Sequence, residues 1–165
     1  MSDDDHAGER DESALAGIPK DVSALERASE TCRRAVSAGF HWKEARGALG
    51  KLEEELDELR EVLPIEVLKS AMEGRPNSLP EGPERQRIEH ELGDVLMAAA
   101  FVGGYLGLSP EELCHRALER FDARFRLMEK DIGGSFAHST MDEMLMAWTR
   151  AKRLLDPDSP QPSDS

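Results

Sequence analysis

Only two cysteines, Cys32 and Cys114, occur in 165 residues, and they form no C-x-x-C pair. Two are too few to staple a chain of this length, and both are read as buried, reduced thiols. No stretch sustains the alternation of β-branched residues that marks a strand, so no sheet is expected. The longest apolar run, Val95 to Leu108, falls short of the ~20 residues that a spanning helix needs, and Gly103, Gly104 and Gly107 interrupt it. The N-terminus has no basic segment ahead of an apolar one, so no signal peptide is read there, and a soluble cytoplasmic protein is expected. Positive charge is scarce as well. Twenty-one Lys and Arg face 34 Asp and Glu, a formal net charge of -13, which argues against non-specific binding to nucleic acid polymers or to anionic membrane.

The residues present favour helix: Ala, Leu, Glu and Arg fill the intervals between a few Gly and Pro clusters. Residues 1–17 are acidic and read as a disordered segment. A first helix is expected from Asp21 to Ala38, ended by Gly39. A second runs from Lys43 to Leu63 with a stripe of Leu49, Leu52, Leu56, Leu59 and Leu63. Pro64, Pro76, Pro80 and Pro83 mark residues 64–83 as an inserted loop, with a short helix opened by Pro64. A third helix spans Glu84 to Tyr105, and its second half is apolar on nearly every side, the mark of a helix buried among others. Ser109-Pro110-x-Glu112 opens a fourth helix that continues to Ile132, where Gly133-Gly134 stop it. Thr140 and Glu143 form a capping box for a last helix ending at Leu155. Residues 156–165 read as a disordered tail. The expected fold is therefore all-α, an antiparallel bundle of four to five helices in one domain over residues 18–155.

Five acids sit oddly in this pattern. On the second helix Glu53, Asp57 and Glu61 form an ordinary solvated face. Glu55 instead falls inside the leucine stripe, with Glu54 and Glu58 beside it. On the third helix Glu91 and Asp94 share the side that continues through Ala98, Phe101, Val102 and Tyr105. Burying one such carboxylate without a partner costs several kcal/mol. If the two helices pack antiparallel, the two groups meet across the bundle. Such a cluster suits a hard cation with oxygen ligands: Mg²⁺ first, since it keeps waters and accepts phosphate oxygens, with Mn²⁺ as a substitute. One carboxylate could then orient or deprotonate an attacking water.

These residues resemble the MazG nucleotide pyrophosphohydrolases, an all-α family with E-E-x-x-E on one helix and E-x-x-D on the next. Here the motifs read Glu54-Glu55-x-x-Glu58 and Glu91-x-x-Asp94. The likeness extends to Gly39-Phe40-His41-Trp42, to Lys51, to the helices after Asp94, and to Trp148 and Lys152, covering residues 17–155. It implies Mg²⁺-dependent hydrolysis of a nucleoside triphosphate to the monophosphate and pyrophosphate, a house-cleaning role in the nucleotide pool, and a homodimer whose subunits pack their helices together. It implies that Glu54, Glu55, Glu58, Glu91 and Asp94 bind metal, with Glu55 or Glu58 activating water. Lys51, Arg120, Arg124 and Lys152 would hold phosphate oxygens, and Trp148 would stack on the base. Phe121, Phe125 and Trp42 read as core. The chain departs from the family pattern at His41, His90 and Leu118 and in the long interval between Glu58 and Glu91, which bears on substrate preference.

Three other readings compete. Glu112-x-x-His115 matches half of a di-iron motif, but no second match exists. A non-catalytic acidic helical dimer would keep the fold without turnover. A dUTP or phosphoribosyl-ATP pyrophosphohydrolase would use a similar acidic core.

Overall fold

The computed structural model describes residues 13–65, 67, 79–134 and 136–156. Among them the chain is all-helical, with no strand. The α-helices are α1 (Ala24–Ser37), α2 (Ala45–Val62), α3 (Pro83–Tyr105), α4 (Pro110–Asp131) and α5 (Met141–Leu155), with a 3-10 turn at Phe136–His138. The expected boundaries lie within three residues of these. Most of the disordered segments expected at the two ends, and most of the inserted loop, lie outside the described residues. Where a short helix was expected after Pro64, Val67 donates its N–H to Pro64 O at 2.9 Å, and most of that segment lies outside the described residues. Residues 13–17, expected to be disordered, form a turn that Arg34 holds by donating to Ala16 O.

The chain divides into two compact units, residues 1–111 and 112–165. In the first, α3 packs against both α1 and α2. Ser23 caps α1 by accepting from Glu26 N–H at 3.1 Å. Gly39 ends it at φ +93°, and the next N–H, that of Phe40, returns to Ala35 O at 2.9 Å. This closure is a Schellman motif, which needs the left-handed backbone that glycine adopts freely. Gly104 on α3 lies against Ser29 and Cys32, and Cys32 Sγ donates to Phe101 O at 3.6 Å, so α1 and α3 run antiparallel. The N-terminal end of α2 meets the C-terminal end of α3. There Tyr105 donates its hydroxyl proton to Trp42 O, and the two rings meet edge-on at 6.4 Å. That contact makes α2 and α3 antiparallel, which the acidic motifs require if they are to meet.

Trp42 also limits the start of α2. A Cβ on Gly47 would lie 2.4 Å from Trp42 Cγ, close to the tryptophan's own backbone, where the ring has little freedom to yield. Gly47→Ala is therefore expected to cost about 1–3 kcal/mol through overpacking, against the small gain that alanine brings to a helix. Thermal denaturation of the variant checks this.

Among the described residues of the first unit, Cys32, Ala48, Ile88, Ala98 and Ala100 are the buried apolar side chains. Leu49, expected in the apolar stripe, is exposed, and α3 is not enclosed on every side. It packs against α1 and α2, and its buried Gly103 meets Pro110, while Leu92, Leu96 and Met97 remain exposed.

In the second unit, α4 and α5 run antiparallel and are tied by two ion pairs. Arg150 pairs with Asp131 through Nε at 2.8 Å, and Arg124 pairs with Asp156 through Nε at 3.0 Å. Met128, Ala147 and Ala151 are buried between them. The capping box expected at Thr140 and Glu143 is formed, and the two hydrogen bonds from Thr140 lower the Glu143 carboxyl pKa, the backbone N–H contributing most. Cys114, expected to be buried, is exposed. Cys32 is buried, and burial pushes its thiol pKa up.

Candidate metal and nucleotide site

The helical repeat that places Ala48, Leu52 and Leu59 on the inner side of α2 places Glu55 there too. Glu55 is the one buried charged residue among the described residues, 6% exposed. Opposite it, α3 presents Glu91 and Asp94, both half-buried. One carboxylate oxygen from each of Glu55, Glu91 and Asp94 lies within 4.8 Å of the others. Three like charges at this spacing repel one another, and the burial of Glu55 leaves little water there to screen them.

Two nitrogen side chains adjoin the cluster. Lys51 Nζ stands 2.8 Å from Glu55 Oε1 and 2.8 Å from Glu54 Oε1, bridging the two side chains. These hydrogen bonds, to Glu54 first and then to Glu55, hold the ammonium pKa well above the ordinary lysine value. His90 Nε2 lies 3.3 Å from Asp94 Oδ2, one helical turn away. One shared ammonium does not balance three carboxylates. The donor set is all oxygen and suits a hard divalent cation. His115, the histidine of the di-iron alternative, is not part of it.

The five acids singled out in the sequence therefore separate. Glu55, Glu91 and Asp94 converge. Glu54 is exposed and bound to Lys51, outside the converging group. Glu58 is exposed at the rim, one turn beyond Glu54. Its carboxyl pKa is raised, chiefly by desolvation and then by the negative charge of Glu55, with Glu91 and Glu54 adding to it and Lys51 opposing. Among the five, Glu58 thus combines access to solvent with the basicity that a proton acceptor needs.

The remaining candidates lie in the second unit. Arg120 is exposed on α4, while Arg124, one turn later, is occupied by Asp156. Trp148 and Lys152, also one turn apart, are half-buried on α5. Trp148 lies 5.3 Å from Phe121, which stacks on Phe125 at 5.7 Å, and Phe125 meets Phe136 at 5.4 Å. With Met128, Met141, Met144 and Leu145 these rings line an open apolar groove of about 430 Å³. Phe121, expected in the core, is 53% exposed because the groove is open on its side. The i, i+4 pair of Phe121 and Phe125 was the available sequence signal for this groove, but nothing in the spacing pointed to Phe136 or the methionines.

Comparison with known proteins bears on this arrangement. No protein-family model matches the chain. Over 153 residues, 91% of the chain, it is 28% identical to the nucleoside triphosphate pyrophosphohydrolase of Escherichia coli (strain K12), covering 52% of that protein. Over 148 residues, 88% of the chain, it is 27% identical to the nucleoside triphosphate pyrophosphohydrolase/pyrophosphatase MazG of Thermotoga maritima, covering 50% of that protein. The likeness supports a MazG-type assignment. The chain spans about half the length of the curated relatives that it matches. The all-helical fold agrees with that assignment. Among the described residues no single helix is long and apolar enough to cross a membrane.

Proposed function

We propose that this MazG-type chain hydrolyses nucleoside triphosphates to the monophosphate and pyrophosphate with Mg²⁺, Mn²⁺ serving as a substitute. The observation that carries the reading is the convergence of Glu55, Glu91 and Asp94 from two helices, one of them buried. The names of the relatives support the reaction type. Glu55, Glu91 and Asp94 would hold the cation. Once bound, it would neutralise phosphate charge and polarise the phosphoryl oxygens.

The other steps belong to the side chains. Glu58, solvent-accessible and with a raised carboxyl pKa, would accept the proton of the attacking water. Lys51 would contribute a positive charge to the triphosphate, and Glu54 would set its resting position. In the second unit, Arg120 and Lys152 would offer cations to phosphate oxygens, and Trp148 an aromatic face to a base. Arg124 would join them only by leaving Asp156. A second copy of the chain, covering Leu92, Leu96 and Met97 on α3, would complete a homodimer. Removal of surplus or non-standard nucleotides in the cytoplasm would be the physiological role.

A panel of standard and modified nucleoside triphosphates, assayed for pyrophosphate release, tests the activity. Release with Mg²⁺ and none in chelator is expected. Failure of every nucleotide to yield pyrophosphate would leave a non-catalytic helical protein.

A further inference from the structure

The most unusual feature of the acidic site is the cation already in it. Lys51 lies one helical turn before Glu55 and reaches forward, its Nζ 2.8 Å from one oxygen of Glu55 and 2.8 Å from one oxygen of Glu54. Glu55 is thereby shared: it belongs to the converging group with Glu91 and Asp94, and it is also bound to the ammonium. Glu54 is held on the Lys51 side and does not join that group. The Lys51 side chain is 39% exposed, against 8% for Glu55, so the ammonium sits at the mouth of the site with a route into solvent.

From this geometry we propose that Lys51 is an internal counter-cation that competes with the divalent ion for Glu55 and is released towards the incoming triphosphate when the ion binds. The proposal rests on the metal-dependent reading above and adds to it an order of events: metal first, then nucleotide. In the metal-free protein the ammonium offsets part of the repulsion around a buried carboxylate. When the cation takes that carboxylate, the ammonium is repelled by the new positive charge and loses its anchor on Glu55. It keeps Glu54, which is 56% exposed, as a pivot outside the metal group. The freed ammonium then faces the side from which a substrate must enter. A lysine suits this task because its flexible stem carries a compact charge, whereas an arginine tends to stay in paired geometry. Lys51 is thus a positioning residue in the resting state and a phosphate ligand in the loaded one.

The test uses the full chain with Mn²⁺ as the probe, free Mn²⁺ being followed by electron paramagnetic resonance, and compares wild type with Lys51→Met, Lys51→Gln and Lys51→Arg. Both uncharged variants are expected to bind Mn²⁺ about tenfold more tightly than wild type, because the competing charge is gone. Without metal they are expected to melt about 5 °C lower, and saturating Mn²⁺ should restore most of that loss. KM for the nucleotide should rise about tenfold with a smaller change in kcat, and Lys51→Arg should keep its Mn²⁺ affinity near that of wild type. A merely structural lysine would lower the melting temperature without tightening the metal. Unchanged or weaker Mn²⁺ binding by folded Lys51→Met and Lys51→Gln, with wild type binding normally, overturns this proposal alone. Absence of Mn²⁺ binding by wild type overturns the metal-dependent reading as well.

Discussion

Glu55→Gln is expected to abolish pyrophosphate release while leaving the helical content intact. The amide keeps the shape of the side chain on the inner face of α2 but supplies no charge to the group it shares with Glu91 and Asp94. Losing one of three anionic ligands should weaken divalent cation binding by roughly a hundredfold, about 2.7 kcal/mol. Asp94→Asn removes a second ligand from the opposite helix and should act in the same direction. Steady-state assays at saturating nucleotide with a Mg²⁺ titration would show both effects. Wild-type turnover by either variant would mean that the reaction takes place elsewhere.

The second large effect is expected at Glu58. Glu58→Gln should lower kcat by about 10²–10⁴-fold, the usual contribution of a positioned base, while divalent cation affinity stays close to that of wild type. The split between the two readouts identifies the role: a ligand would lose affinity, a base would lose turnover. The raised carboxyl pKa of Glu58 also has a consequence for stability. An acid whose folded pKa lies above its unfolded value favours the fold when protonated. Its contribution is fully present below the unfolded pKa and is lost as pH rises through the folded one. At neutral pH the ionised side chain therefore works against the metal-free fold, and Glu58→Gln should raise the melting temperature of that form. A metal-free melting temperature equal to or lower than that of wild type would remove Glu58 from the repulsive cluster.

Much of this was legible in the residues because helices report themselves locally. Gly39, Pro110 and Thr140 each stand at a helix end, where their chemistry is specific, and α1 ends while α4 and α5 begin at those signals. The placement of Glu55 was legible for a related reason: a charge within a leucine stripe has to be buried or break the stripe. What the sequence does not encode locally is which of five acids converge. Glu54 and Glu55 are neighbours in the chain, yet Lys51 binds both and only one reaches α3. Spacing also says little about how much of an apolar helix its own unit covers. Leu49, Leu96 and Phe121 have the hydrophobicity of core residues and remain exposed, because the helices that could enclose them lie on other sides. Lys51 illustrates the same limit in reverse. Its i+3 and i+4 distances to Glu54 and Glu55 are ordinary helix-surface spacing, and only the burial of Glu55 makes the contact unusual.

A crystal soaked in Mn²⁺ and measured at the manganese absorption edge tests most directly for a divalent cation bound between α2 and α3. The expected result is an anomalous peak bounded by carboxylate oxygens of Glu55, Glu91 and Asp94, with Lys51 turned away from Glu55. A protein saturated with Mn²⁺ that shows no peak there, or an ion held by other residues with these three carboxylates apart, would contradict it.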